Sequence, residues 1–373
     1  MKRKSLTILI VFVGITLLSF SSERQKTKNL IIFIGDGMGV SQVYAAMTAT
    51  GFDMTFPAFP VTGFSMTYSS NNYVTDSAAG GTALATGEKT NNGMVSMLPD
   101  NTKVKTILEY SVEEGKSTGV VCTKSLTDAT PASFLSHVPL RYQYREIANQ
   151  YLNGTADVFI GGGRNFFEAE KDSTGKAIES TDVVKALKAK GYDVVYNLED
   201  LMAANSDKIA GLMAATDMPS IGDGRDPQYL ASATAKAIEV LSKNRKGFVL
   251  MVEGSEIDNG GHAGDTKMII DEVIDMDRAV KVAYDFARSN GNTLIVITAD
   301  HETGGMSINN GNIEQKQVDA NYGSMKTSYG QLNHTGVMVP VFAYGPGAQE
   351  FEGIQDNTDL FRDFCRLLSI DLK

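Results

Sequence analysis

Continuous apolar runs, rather than alternating ones, recur along the chain and end in glycine, threonine or acidic residues. Such runs predict strands buried on both faces, at residues 30–34, 117–123, 157–163, 191–196, 247–253, 293–301 and 337–344. Helical patterns lie between them, at residues 103–114, 227–242, 265–288 and 358–368. Strands that alternate with helices predict an α/β domain with a largely parallel sheet.

Three local signals qualify this pattern. Asp226 and Pro227 predict an N-cap and a first helical position. Pro340 indicates that its strand lies at an edge of the sheet or contains a bulge. The polar segment 307–332 is rich in Asn, Gly and Gln, so we expect an excursion from the sheet. No break in composition and no repeat divides the chain, which favours one domain.

The N-terminus has the pattern of a secretory signal. Three basic residues precede an apolar run at 6–20, and small residues follow. A membrane anchor is the alternative, but the run is shorter than the ~20 residues that a spanning helix needs. We predict a signal peptide at 1–22, a disordered linker at 23–28 and a domain at 29–373, and hence a secreted or periplasmic protein without membrane attachment after cleavage.

The composition of the chain limits the classes of partner that it can bind. The 373 residues carry a formal net charge of −10, which argues against a nucleic-acid-binding surface. An anionic substrate stays compatible with this charge, because bound metal ions can dominate the local field. Cys122 and Cys365 both lie in apolar patterns. Secretion permits a disulfide, but two buried thiols fit these patterns better.

Ser77 lies where an extended run turns into a helix. The sequence there is V-T-D-S-A-A-G-G-T-A-L-A-T-G, and Asp76 is a good N-cap. First-turn N–H groups and the helix dipole favour negative charge, so a phosphate on the serine oxygen would be stabilised. Taken alone, the pattern also fits an ordinary serine at the start of a glycine-softened helix.

Carboxylates and histidines gather at the ends of predicted strands, where open α/β sheets place their sites. Asp36, Glu253 and Asp300 each follow or end such a strand. Further candidate ligands lie in other motifs of the chain. One carboxylate and three imidazole groups come from Asp258, His262, His301 and His334, and two more oxygen ligands come from Asp128 and Thr130. Mixed carboxylate and imidazole ligands suit zinc, whereas all-oxygen sets suit magnesium.

Two further residues are assigned from their surroundings. Arg141 offers a planar fork that matches two phosphate oxygens, although a solvated loop arginine is the alternative. His137, in S-H-V-P, is interpreted as structural or as a residue behind the site.

Six motifs resemble the alkaline phosphatase family and occur in the order found there. They are G-D-G-M-G, V-T-D-S-A-A-G-G-T-A-L-A-T-G, D-A-T-P-A, E-G-x-x-I-D-x-x-x-H, T-A-D-H-E-T-G-G and H-T-G-x-x-V-P-V-F-A-x-G-P. The match runs from about Asn29 to the C-terminus and resembles the compact bacterial members, including cold-active ones. The resemblance implies a three-layer sandwich, a homodimer and hydrolysis of small-molecule phosphate monoesters.

The resemblance also implies roles. Ser77 would be the nucleophile that becomes phosphorylated, and Arg141 would grip the phosphate. One zinc ion would be held by Asp258, His262 and His334, and a second by Asp36, Asp300 and His301. A magnesium ion would be held by Asp36, Thr130 and Glu253, with Asp128 near its waters. Asn259 departs from the family, because well-studied bacterial members carry lysine there; we expect weaker phosphate binding as a result.

Three other functions remain as alternatives. A phosphodiesterase or nucleotide pyrophosphatase of the same superfamily typically uses threonine and lacks the arginine and the magnesium site. A sulfatase would need a C/S-x-P-x-R signature, which does not follow Ser77. A secreted protein that binds metal or phosphate without turnover would need the ligands but no nucleophile.

Overall fold

The computed structural model describes residues 26–170 and 181–372, and the predicted signal peptide lies outside them. The strands are β1 Asn29–Gly35, β2 Val61–Met66, β3 Ser117–Ser125, β4 Val158–Gly162, β5 Asp193–Val195, β6 Ile209–Leu212, β7 Phe248–Gly254, β8 Thr293–Thr298, β9 Glu302–Thr303, β10 Met306–Asn312, β11 Gln317–Tyr322, β12 His334–Thr335, β13 Val339–Tyr344 and β14 Gly353–Asp356. The helices are α1 Val40–Thr50, α2 Ser77–Thr86, α3 Ile107–Glu113, α4 Ala129–Leu135, α5 Tyr144–Gln150, α6 Arg164–Phe167, α7 Val183–Ala189, α8 Leu198–Ala203, α9 Tyr229–Leu241, α10 Glu256–Ala263, α11 Thr266–Asn290 and α12 Asn357–Leu368.

Within the described residues, one sheet of ten strands has the order β14-β2-β13-β8-β1-β7-β3-β4-β6-β5. All pairs are parallel except those that β13 makes with β2 and β8. The predicted α/β class and largely parallel sheet are therefore confirmed. The continuous apolar runs became central strands because side chains on both faces meet helices.

Two apolar cores lie on the two faces of the sheet, which makes the predicted three layers. Leu30, Ile32 and Ile34 of β1 pack in one core with residues of α2, α3, α4 and α12. Ile31 and Phe33 pack in the other with residues of α1, α9, α10 and α11. Alternation along one strand thus supplies both cores.

The register of β1 sets the position of the acidic residues. Ile34 pairs with Glu253 of β7 on one side and with Thr298 of β8 on the other. Asp36 lies two residues beyond Ile34, and Asp300 lies two residues beyond Thr298. The three acids therefore emerge at the carboxyl edge of adjacent central strands.

Several local predictions need correction. Pro340 does not mark an edge strand: β13 lies between β2 and β8, although Pro340 falls outside the stretch paired with β8. Asp226 is not the N-cap of α9, because its carboxylate accepts the N–H of Gln228 in a turn before the helix. Thr27, in the predicted linker, donates to the carbonyl of Pro346.

Other local predictions are confirmed. The excursion at 307–332 contains the exposed β10–β11 hairpin, which lies outside the main sheet. Cys122 and Cys365 are buried free thiols. No helix in the two described ranges is long and apolar enough to span a bilayer.

Candidate active site

Ser77 is the first residue of α2 and is buried. Asp76 is the N-cap, as predicted, and accepts the N–H of Ala79 at 3.0 Å. The whole helix is buried, and Gly80 lets it approach the backbone of Asp300, which a Cβ would meet at 2.9 Å. This contact places Ser77 Oγ 3.2 Å from Nε2 of His301.

The acidic centre is the name used here for the cluster of Asp36, Glu253, Asp258 and Asp300 with the three histidines His262, His301 and His334. Within it, Asp36, Asp300 and His301 offer ligand atoms that lie within 4.8 Å of one another, as do Asp258, His301 and His334. His262 joins the second group. Its Nε2 lies 3.2 Å from Asp258 Oδ2 and 3.3 Å from Nε2 of His334.

The α10 helix explains why Asp258 and His262 meet. The two residues are four positions apart on one helix, so they share a face. The E-G-S-E-I-D-N-G-G-H stretch also places Gly261 against Thr303, where a Cβ would clash at 2.8 Å. Small residues therefore allow α10 to pack closely on the segment after Asp300.

Hydrogen bonds fix the tautomers of the three histidines. Nδ1 of His262 lies 2.6 Å from the carbonyl of Leu332, and Nδ1 of His334 lies 2.9 Å from the carbonyl of Thr75. A carbonyl only accepts, so each Nδ1 carries the proton. Thr303 donates to Asp258, so it accepts from Nδ1 of His301 at 3.2 Å. Nε2 of His301 and Nε2 of His334 are therefore left with a lone pair directed into the acidic centre, as metal ligands require. Nε2 of His262 donates to Asp258 and would give up that proton to bind a metal ion.

The electrostatics of the centre favour cations. Burial, followed by the charges of Asp300 and Asp258, raises the pKa of Asp36 well above its usual value. Burial, followed by the charge of Asp128, raises the pKa of Glu253 to about 8. Burial also lowers the pKa of His301 and of His334 to about 4, so both are neutral at physiological pH.

Asp258 behaves differently from its neighbours. Burial raises its pKa, but the hydrogen bond from His262 and the charge of Lys124 oppose burial, and the pKa of Asp258 lies well below the usual value. Asp258 is therefore the most firmly ionised acid of the centre.

Buried oxygen atoms without a donor mark where cations fit. Among the described residues, no hydrogen-bond partner reaches the following atoms: both carboxylate oxygens of Asp36, both of Glu253, Oγ1 of Thr130 and Oδ2 of Asp300. Leaving such charges unpaired in a protein interior is costly. The predicted ligand sets therefore fit divalent cations, and the all-oxygen set of Asp36, Thr130 and Glu253 fits magnesium.

Arg141 lies against the acidic centre rather than in solvent. Its Nη1 lies 3.2 Å from Asp76 Oδ2, and its Nη2 lies 3.2 Å from Asp128 Oδ1. Burial opposes the charge of Arg141, but the carboxylates of Asp128 and Asp76 raise its pKa. Asp128 is the N-cap of α4 without a cap hydrogen bond, so its carboxylate is free for this pairing. The N-cap Asp76 thus has a second role, which the sequence analysis missed.

The structure brings all the predicted site residues to one edge of the sheet, while His137 lies outside. Its Nε2 contacts Glu109 and its Nδ1 contacts the carbonyl of Ser96, so it has the structural role predicted. Sequence reasoning missed Thr303, which orients His301 and Asp258, and Lys124, whose Nζ lies 3.9 Å from Asp258 Oδ2. The signal for Lys124 was a lysine directly after the apolar run at 117–123.

Comparison with known proteins gives a consistent result. The family model described as alkaline phosphatase matches residues 27–332. The alkaline phosphatase of Escherichia coli (strain K12) is 36% identical, over 91% of this chain and 86% of its own. The chain therefore has relatives along nearly its whole length.

Solved structures agree with the sequence match. The alkaline phosphatase from the Antarctic bacterium TAB5 superposes with a TM-score of 0.84, at 36% identity, over 93% of this chain and all of its own. A variant of the TAB5 enzyme holds Mg in its M3 site. The cold-active alkaline phosphatase from Shewanella sp. gives a TM-score of 0.80 at 32% identity, over 91% of this chain and 99% of its own. The predicted resemblance to cold-active bacterial enzymes is confirmed.

Proposed function

Because this chain belongs to the alkaline phosphatase family, we propose that it hydrolyses small-molecule phosphate monoesters through a phosphoserine on Ser77. The observation that carries the proposal is the position of Ser77 Oγ, which lies at a helix N-terminus, 3.2 Å from Nε2 of His301. His301 in turn adjoins both groups of candidate ligands. The proposed nucleophile and the candidate ligands for cations therefore lie at one edge of the sheet, with Arg141 beside Asp76.

The reaction requires two displacements at phosphorus. Ser77 Oγ releases its proton to solvent and forms a bond to phosphorus as the bond to the alcohol oxygen breaks, and that oxygen takes up a proton and leaves as the alcohol. Water then attacks the phosphoserine, which releases inorganic phosphate and returns the serine hydroxyl. The N–H groups at the start of α2 stabilise the negative charge beside Ser77 in both steps.

The residues that would hold metal ions are the predicted ligands, and Asp36, Glu253, Thr130 and Asp300 among them have oxygen atoms without a donor in the described part of the chain. We assign Asp258, His262 and His334 to one zinc ion, Asp36, Asp300 and His301 to a second, and Asp36, Thr130 and Glu253 to magnesium, with Asp128 nearby. Such ions lower the pKa of a bound hydroxyl or water and neutralise charge on the attacking and leaving oxygens. Metal analysis of protein purified without chelator should find two zinc and one magnesium per chain.

Arg141 would orient the phosphate. Asp76 and Asp128 hold its two terminal nitrogens, so the guanidinium plane is fixed before substrate arrives. A fixed fork loses little freedom when it binds two phosphate oxygens. A cavity of about 480 Å³ beside Asp76 and His334 leaves room for the alcohol part of the substrate.

The test compares an aryl phosphate monoester with the matching diester. We expect faster turnover of the monoester, and label from radioactive substrate on Ser77 after quenching in acid. Ser77→Ala should abolish both, whereas Ser111→Ala, which removes a buried serine of α3, should change neither. Faster diester turnover, label on another residue or full activity of Ser77→Ala would each contradict the proposal.

Secretion remains a proposal that rests on the predicted signal peptide at residues 1–22. Fractionation of cells and N-terminal sequencing of the mature protein test it. Mature protein that starts at Met1 would contradict it.

A homodimer is also proposed. An exposed apolar strip lies near the edge of the sheet and consists of Phe64 and Met66 of β2, Ile354 of β14 and Met338 beside β13. Ile354 and Phe64 are paired on neighbouring strands. This strip supports self-association, and sedimentation of the wild type and of Phe64→Glu measures it. A wild type that sediments as a monomer at micromolar concentration would contradict the proposal.

A further inference from the structure

Lys124 is a buried lysine that the roles above do not use. It is the penultimate residue of β3 and is only 8% exposed. The pairing of β3 with β4 changes register between Val121 and Ser125, and such irregularities re-aim side chains beside active sites. Because Cys122 pairs with Glu253 of β7, Lys124 lies just beyond Glu253, at the edge of the sheet that carries the acidic centre.

The ammonium group of Lys124 has charged neighbours but no close acceptor. Its charge interacts with those of Asp128, Asp258 and Asp36. The separation of 3.9 Å from Asp258 Oδ2 is longer than a hydrogen bond, and Nζ makes none to any residue that the structure describes. The donors of this ammonium are therefore free to meet an oxygen atom of a ligand.

Asn259 cannot supply such a charge. It is neutral, and its Nδ2 donates to Glu256 Oε2 at 2.7 Å. The carboxylate of Glu256 also interacts with the charge of Lys124, so the two side chains border the same region. The structure thus changes the expectation drawn from Asn259 of α10, since a cation reaches this region from β3 instead.

We propose that Lys124 is a phosphate-binding residue of the active site and provides, with Arg141, the second fixed cation that holds phosphate beside Ser77. The proposal rests on the proposed hydrolysis of phosphate monoesters and adds a residue to it. Arg141 binds as a planar fork, whereas Lys124 offers a compact charge with freely rotating donors. A phosphate dianion can use both.

A structural role is the competing explanation, because Lys124 also offsets buried carboxylates. The two roles differ in what they change. A purely structural lysine affects stability and metal retention, whereas a phosphate-binding lysine also affects phosphate affinity in protein that is folded and metal-loaded.

The experiment measures binding of inorganic phosphate by calorimetry in the Ser77→Ala background, with zinc and magnesium content determined for each protein. Lys124→Met should weaken binding about five- to tenfold, or roughly 1–1.4 kcal/mol. Adding Asn259→Lys to Lys124→Met should recover most of the loss. The matched control is Lys236→Met, which removes a buried lysine that contacts Ala204 and Glu239 away from the centre; it should leave phosphate affinity unchanged.

Kinetics provide a second readout in protein that retains Ser77. Lys124→Met should raise the phosphate inhibition constant and KM by similar factors, with a smaller change in kcat. If Lys124→Met does not fold or loses its metals, the near-isosteric Lys124→Gln takes its place with the same expected outcomes.

Phosphate affinity within twofold of the parent in the folded, metal-loaded variant would overturn the assignment of Lys124. An equal loss in Lys236→Met would overturn it as well. A wild type that does not hydrolyse aryl phosphate monoesters would instead overturn the proposed function, whatever Lys124 does to phosphate affinity.

Discussion

Two regions of the molecule bury carboxylates. One is the acidic centre, and the other is the Arg225 cluster, which consists of Arg225, Glu272 and Asp275. Arg225 reaches Glu272 and, at 2.9 Å, Asp275. Glu272 also accepts the N–H of Ile221, and Arg225 donates to the carbonyl of Pro219. In the acidic centre, by contrast, neither oxygen of Asp36 or Glu253 has a donor among the described residues.

The difference shows how to interpret a buried charge. In the Arg225 cluster the protein provides a cation that donates to both carboxylates and joins the segment before α9 to α11. Only Asp275 Oδ1 and Arg225 Nε in this cluster have no hydrogen-bond partner among the described residues. In the acidic centre the protein provides less positive charge than the acids require. Buried carboxylates without any donor from the protein indicate a site for ions or ligands, whereas buried carboxylates held by an arginine indicate a structural element.

Removing metal ions should separate the two clusters most clearly. Exhaustive chelation is expected to lower turnover of a phosphate monoester by about 10³-fold or more, because the metals supply several kcal/mol of transition-state stabilisation. The Arg225 cluster needs no metal, so circular dichroism should still show a folded protein. Zinc and magnesium together should restore turnover. Full turnover in protein shown to be metal-free would contradict this prediction.

Removing the guanidinium group of Arg225 should lower stability and leave turnover unchanged, which is the reverse of the effect of chelation. Arg225→Met leaves Glu272 and Asp275 buried without their partner, so the free energy of unfolding should fall by about 3–5 kcal/mol. Its kcat/KM below the melting temperature should not change. The control is Arg278→Met: Arg278 is exposed and lies 3.8 Å from the same Asp275, so its loss should cost at most about 1 kcal/mol. Equal losses from the two variants would remove the distinction.

Substitution of Arg141 removes a cation that the protein itself provides beside the acidic centre. Arg141→Ala should cost about 2–3 kcal/mol in kcat/KM for a monoester and less for a diester, which presents fewer free anionic oxygens. Arg145→Ala is the control, because Arg145 contacts the carbonyl of Glu168 and not the centre. Equal losses for both substrates would show that Arg141 does not recognise the monoester.

The smallest expected effect is the pH dependence of stability in metal-free protein. The pKa of Glu253 is raised to about 8 in the folded protein from its ordinary 4.5. The folded state therefore binds more protons than the unfolded state, and this contribution to stability is lost as pH rises through about 8. His301 and His334, whose pKa values are lowered, act oppositely only below their ordinary 6.5.

Between pH 6.5 and 8 the carboxylate effect therefore dominates. We expect the free energy of unfolding of chelated protein to fall by about 1–2 kcal/mol across this window. Metal-loaded protein should show a smaller change, since the ions compensate Glu253. Denaturant titrations at both pH values measure this, and greater stability of the chelated protein at pH 8 would contradict it.

Much of the fold could be predicted because its signals are local. The apolar runs at β1, β7 and β8 have no polar side chain until they end, so only buried strands fit them. Three strands of the main sheet were missed. The β2 strand alternates buried and exposed residues, β6 has only four residues, and β14 is short and half exposed. Pro340 misled the prediction because part of β13 has a neighbour on one side only.

The sequence alone determined the site chemistry, because ligand identity and helical spacing are local properties. Asp258 and His262 meet on one helix, Asp300 and His301 are adjacent, and Asp76 caps α2 before Ser77. Only the tertiary structure decided which distant groups share the centre. The order of β3 and β7 in the sheet brings Lys124 to Asp258, while Asn259 turns to Glu256 instead. Strand order and register result from packing over the whole chain, so local patterns could not show that the cation comes from β3.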